Sequence, residues 1–205
     1  MNRKKVLISL FVCLFLFASF TNQAGAYQRF YYFGKLNGGV YARTWGITQK
    51  TYTLHGRTVN YYDRVLSAVS NWNGINPTSN SNVDVSLSYK SDYTSATLRF
   101  YVDAYGDNGW AASCDHYTSN GTYINPRSTS GNWDHAKLFL NAYYTNYSTY
   151  TSSMITAAAA HEIGHAFGFE DLYGSNDDKL MWWNGDTRTV CGITSDEVTG
   201  IRTIY

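Results

Sequence analysis

His161-Glu162-Ile163-Gly164-His165-Ala166-Phe167-Gly168-Phe169-Glu170-Asp171 is the stretch on which the reading of this chain turns. Residues four apart on a helix lie one turn above each other on the same face. His161 and His165 can therefore offer two imidazole nitrogens to one ion. Glu162 follows roughly 100° around the helix, near enough to meet a metal-bound water without ligating the metal. Gly168 can adopt a left-handed conformation, stop the helix and turn the chain. That turn lets Asp171 arrive as a third ligand. Two imidazoles, one carboxylate, an open position and a nearby base form the donor set of a catalytic zinc ion. The plainer alternatives are a solvated histidine pair with a structural glutamate, and an Asp171 that merely opens a polar loop with Glu170, Asp177 and Asp178.

Downstream, Met181 falls ten residues after Asp171 within Lys179-Leu180-Met181-Trp182. The chain closes on Thr194-Ser195-Asp196-Glu197-Val198-Thr199-Gly200-Ile201-Arg202-Thr203-Ile204-Tyr205. On these residues the chain resembles the metzincin zinc endopeptidases, whose extended pattern is H-E-x-x-H-x-x-G-x-x-H/D followed by a methionine-containing turn. The terminal segment looks like the closing helix of matrixin-type domains, and Asp171 in place of a third histidine is similar to the snapalysin-like bacterial proteases. The resemblance implies an α+β, metzincin-type zincin catalytic domain: a mixed twisted sheet of about five strands, an active-site helix, a Met-turn and a C-terminal helix. It implies one catalytic Zn2+ on His161, His165 and Asp171, Glu162 as the general base, and Met181 as a structural residue of the turn. It further implies a secreted zinc metalloendopeptidase whose protein or peptide substrate lies antiparallel to an edge strand near Trp110 to Ser113. The residue two after Met181 is Trp183, where some metzincins have a tyrosine, so no tyrosine is assigned a catalytic role.

The rest of the chain alternates strands and helices. Val40 to Ile47 suits a strand. Tyr61 to Gly74 reads as a helix, with Val65, Leu66, Val69 and Trp72 at helical spacing. Asn76 to Asn82 is a polar loop. Val83 to Tyr89 and Ala96 to Val102 alternate apolar and polar residues as half-buried strands. A turn at Gly106 to Gly109 leads into the edge segment Trp110 to Ser113. Thr118 to Trp133 reads as loop and Lys137 to Ala142 as strand. Ser152 or Ser153 caps the motif helix, which ends at Gly168, and Ser195 to Ile204 forms the last helix.

Met1 to Ala26 is set apart. A basic start at Arg3, Lys4 and Lys5, an apolar run from Val6 to Phe20 and the small residues Ala24-Gly25-Ala26 read as a secretory signal peptide. Residues 27–205 then form a single extracellular domain with 13 Lys and Arg against 15 Asp and Glu, a balance that excludes a nucleic-acid binder relying on a bulk basic field. No later stretch is long and apolar enough to span a bilayer, and a monomer is expected. Cys114 and Cys191 remain after processing and are expected to form one disulfide in an oxidising compartment. Asp103 and Asp107 are candidates for a loop Ca2+, with turn capping as the simpler role. His55, His116 and His135 are isolated. The segment Tyr27 to Tyr62 has no cysteine or acidic residue to occupy the open metal position, so activity on export or restraint by a separate inhibitor is expected. Two rival functions stand beside the peptidase: a surface-binding or adhesive module with structural zinc, and a zinc hydrolase acting on an amide in cell-wall peptides.

Overall fold

The computed structural model describes residues 27–30, 32–75 and 84–205. The signal-peptide segment 1–26 and the polar loop at 76–82 fall outside them. Among the described residues, eight strands and four α-helices follow in the order β1 Arg43–Ile47, β2 Thr51–Leu54, β3 Arg57–Asn60, α1 Tyr61–Asn73, β4 Leu87–Tyr89, β5 Leu98–Asp103, β6 Ala112–Tyr117, β7 Tyr123–Ile124, β8 His135–Asn141, α2 Ala142–Thr145, α3 Ser152–Phe167 and α4 Ser195–Ile204. The main sheet has six strands in the order β4-β1-β5-β8-β6-β7, one more than expected. Its first four strands are parallel, while β6 runs antiparallel to both β8 and β7.

The central strands β5 and β8 alternate covered and less covered side chains. Leu98, Phe100, Val102, Ala136, Leu138 and Leu140 are all buried, and they meet α1 and α3 across the sheet face. In α3 every residue from Ile155 to Phe167 is buried. A helix enclosed on all sides needs small residues where neighbours come close, which accounts for the run Ala157 to Ala160. Two indoles fasten this helix: Trp72 Nε1 donates to Ala160 O at 2.9 Å and Trp133 Nε1 donates to Ala166 O at 2.8 Å. The second bond satisfies a carbonyl near the helix end that has no partner within the helix. The N-cap is Thr151, whose side chain accepts from Met154 N, rather than Ser152 or Ser153.

Alternation alone does not foretell the β2–β3 hairpin. Its turn is His55-Gly56, with φ of 53° and 72°, the two positive values that a tight hairpin turn requires. Of the strand expected over 83–89, residues Leu87–Tyr89 form β4, and residue 83 lies outside the described residues. Part of the expected loop 118–133 pairs as β7 with the end of β6.

The expected disulfide is also corrected, because Cys114 and Cys191 are both free. Cys114 lies on β6 with its Sγ 3.8 Å from His116 Nε2. Cys191 is exposed, in a loop whose next residue, Gly192, faces the Asn71 side chain of α1. Among the described residues no helix is long and apolar enough to cross a membrane.

Candidate metal centre

The last turns of α3 carry His161, Glu162 and His165 to the floor of a cleft of about 640 Å³. Helix α3 then ends at Gly168, which is left-handed with φ 106° and whose N–H donates to His165 O. A side chain at 168 would also press on Gly34 O, so glycine is needed both for the turn and for the close approach of the N-terminal segment. After this turn Asp171 comes back over the helix. Its Oδ1 lies 3.1 Å from His161 Nε2 and 3.4 Å from His165 Nε2. One ligand atom from each of the three residues lies within 4.8 Å of the others.

The outer hydrogen bonds set the imidazole tautomers. His161 Nδ1–H donates to Leu180 O and His165 Nδ1–H donates to Phe169 O, each at 2.9 Å. Both Nε2 atoms are thereby left to face Asp171, the pattern in which a backbone acceptor fixes a metal-binding ring. The second oxygen of Asp171 is held by Arg127 Nη2 at 2.7 Å, and the same guanidinium binds Glu170. Arg127 thus divides the carboxylate, one oxygen toward the imidazoles and one toward itself. Sequence reading missed this residue. It lies 44 positions from Asp171 in a segment of loop character, and no local spacing marks it.

Burial tends to raise the Asp171 carboxyl, yet the two imidazoles hold it well below the carboxylate range. Burial tends to lower His165, but Asp171 and then Glu162 draw it up to about 9. The cluster thus retains a proton where the three ligand atoms converge, and a divalent cation there would displace it. His161 is lowered to about 4 by burial and by the neighbouring His165.

Glu162 is 5% exposed and lines the cleft, its Oε2 is buried without a hydrogen-bond partner, and burial pushes its carboxyl up to about 7. Two imidazoles and one carboxylate, each with a fixed orientation, suit zinc. An unpartnered carboxyl beside them suits a group that meets a ligand.

Met181 is fully buried against Gly164, where any side chain would collide with its Sδ. The 181–183 turn is clipped to Leu172 by Leu172 N donating to Met181 O at 2.8 Å and Trp183 N donating to Leu172 O at 3.2 Å. This places Leu180 O under His161. His116 serves the scaffold: its Nε2–H donates to His165 O at 2.9 Å, and burial lowers it to about 4. The Asp103 and Asp107 carboxylates are engaged by protein donors. Asp103 accepts from Tyr52 and Ala104, Asp107 accepts from Tyr144, and Asn141 organises the loop around them.

The cleft walls include the aromatic residues Trp110, Tyr123, Tyr147, Tyr150 and Trp183. Trp183 is half exposed and stacks on Tyr173. Trp182 is instead buried in the core, with Nε1 donating to Thr187. Arg57 Nη1 donates to both Tyr147 O and Tyr150 O, at 2.7 and 2.6 Å, fixing one rim to the hairpin. The expected edge segment near residue 112 does border the cleft. Strand β7 covers β6 only at His116 and Tyr117.

No family model and no curated protein matches this chain. Among solved structures it is similar to a chain of the GM1 bound form of the ECX AB5 holotoxin, with a TM-score of 0.52 and 14% identity, covering 88% of this chain and 88% of that one. At that identity the likeness concerns the fold alone. It corrects the reading drawn from the motif: the structural likeness found is to a chain of a GM1-bound holotoxin, and no peptidase family model supports the motif. The metzincin assignment, the metzincin-type label on the α+β fold and the zinc metalloendopeptidase activity are therefore withdrawn. What stands is an α+β chain with a six-stranded mixed sheet and three convergent side chains that could hold a metal ion at the floor of the cleft.

Proposed function

We propose that this chain is an exported surface-recognition module that seats its ligand in the aromatic cleft over one zinc ion held by His161, His165 and Asp171. The observation that carries this reading is the convergence of those three ligand atoms, within 4.8 Å of one another, on the cleft floor. Bound zinc would supply a Lewis-acid contact to a ligand oxygen. Tyr123, Tyr147 and Trp183 are exposed and offer ring surface for apolar faces of a glycan or side chain. The likeness to a GM1-bound assembly supports a cell-surface glycan as the partner class.

The test combines metal analysis with vesicle binding. Residues 27–205 should retain about one zinc per chain and bind GM1-containing vesicles over vesicles lacking it. Chelation and Asp171→Ala should each weaken that binding about tenfold or more. Binding that ignores the metal, or no preference for GM1, would sink the proposal.

Glu162 favours a second reading, a zinc hydrolase acting on an amide of cell-wall peptides. A site whose metal is only structural has no need of a buried, unpartnered carboxyl beside the ligands. Here the Glu162 carboxylate would accept the proton of the attacking water and return it to the leaving amine nitrogen as the C–N bond breaks. New amines released from peptidoglycan, with casein run alongside to separate cell-wall amides from general peptide bonds, would test it. Glu162→Gln should lower release at least about 100-fold with zinc retained. Full release by that variant, or none by the unaltered chain, refutes this reading.

A further inference from the structure

Arg188 lines the same cleft, as do Tyr150, Met154, Ala158, Trp183 and Asp186. Its partners do not satisfy it. Nη2 donates to Trp182 O at 2.7 Å. The same atom lies 3.0 Å from His161 Nδ1, but that nitrogen already donates its proton to Leu180 O, so the contact joins two donors and is no hydrogen bond. Nε is buried without a partner. Arg188 takes part in none of the ion pairs among the described residues, whereas Arg127, the other arginine lining the cleft, binds two carboxylates. A partly buried guanidinium with no carboxylate in direct contact is costly, and its planar fork matches a carboxylate.

We infer that Arg188 anchors a carboxylate of the ligand beside the metal centre. Tyr150 supplies a second donor. Its hydroxyl lies next to Gly185, where even a Cβ would stand 3.7 Å away, so no side chain at 185 blocks it. Burial pushes this phenol up to about 12, so it keeps its proton. A singly charged carboxylate fits better than a phosphate, because Glu162 and Asp186 line the same cleft and would repel further negative charge. The inference rests on the cleft being the binding site proposed above.

Competition titrations followed by NMR would test it on zinc-loaded and zinc-free residues 27–205. The probe pairs are N-acetylglutamate against N-acetylglutamine, for an amino-acid carboxylate, and glucuronate against glucose, for an acidic sugar. The acid of at least one pair should bind about tenfold more tightly than its neutral partner, and the pair that shows this identifies the source. The preference should persist without zinc, vanish in Arg188→Met and survive in part in Arg188→Lys, whose folded spectrum controls for misfolding. Equal binding of acid and neutral partner overturns the carboxylate anchor while leaving the cleft as a binding site. A preference that vanishes with zinc moves the carboxylate to the metal and equally overturns it. Failure of all four probes to bind overturns both.

Discussion

Half-buried Asp171 and buried Asp196 show how differently two carboxylates can be placed. Asp171 has donors for both oxygens and is held ionised. Asp196, in the first turn of α4, is 7% exposed and its Oδ2 has no partner. Burial, then the neighbouring Glu197, raises it from 3.8 to about 6. The folded state thus binds this proton more tightly than the unfolded state does. Its stabilising effect is complete below pH 3.8 and is lost as the pH rises through about 6. Asp196→Asn keeps the shape without the charge. At pH 8 it should stabilise the protein by about 1 kcal/mol after allowing for solvent screening, or about 2–4 °C in Tm. The gain should shrink toward zero at pH 4. Thermal melts at both pH values check this, and an equal gain at both would show that the charge is not the cause.

At the scale of elements, α3 depends on what its neighbours lack. Gly164 leaves the space that Met181 fills, and Trp72 closes the same region. Gly164→Ala would force a buried thioether to move, at a cost of about 1–3 kcal/mol. Tm should fall, and an unchanged melting curve would mean that the 181 turn yields freely. The junction of α1, the hairpin and α2 rests on polar contacts instead. Tyr61 Oη donates to Asn146 Oδ1 at 2.6 Å, and Asn146 Nδ2 donates to Tyr52 O and Arg57 O. Tyr61→Phe leaves Asn146 Oδ1 buried without its donor and should cost about 1–3 kcal/mol, read as a lower denaturation midpoint. No loss would mean that water takes over the bond.

These elements also show what a sequence discloses. Helix α3, its stop at Gly168 and the meeting of His161, His165 and Asp171 follow from spacing and one glycine, because helix geometry is local. Arg127 and Arg188 reach the site through tertiary packing and leave no periodic trace. The β2–β3 hairpin escapes notice because His55 adopts a positive φ that its residue type does not announce. The family reading went furthest astray by carrying a local motif over to a whole activity.

Across the whole molecule, a cation held by His161, His165 and Asp171 would add to the backbone and imidazole hydrogen bonds that already join several parts. His161 and His165 belong to α3, while Asp171 lies in the following segment, which is clipped to the 181–183 turn. The N-terminal segment reaches the same place, with Phe30 N donating to Gly168 O at 3.4 Å and the Phe30 ring stacked on His165. A cation bound by folded residues and not by the unfolded chain stabilises all of these together. At a free concentration 1,000 times its Kd it contributes about 4 kcal/mol, or roughly 8–16 °C in Tm. Zinc added to chelated residues 27–205 should raise Tm by that order, and His165→Ala should abolish most of the rise. Magnesium, which prefers six oxygen ligands, should do little. An equal rise with magnesium, or a full rise in the His165 variant, would place the stabilising ion elsewhere than at the floor of the cleft.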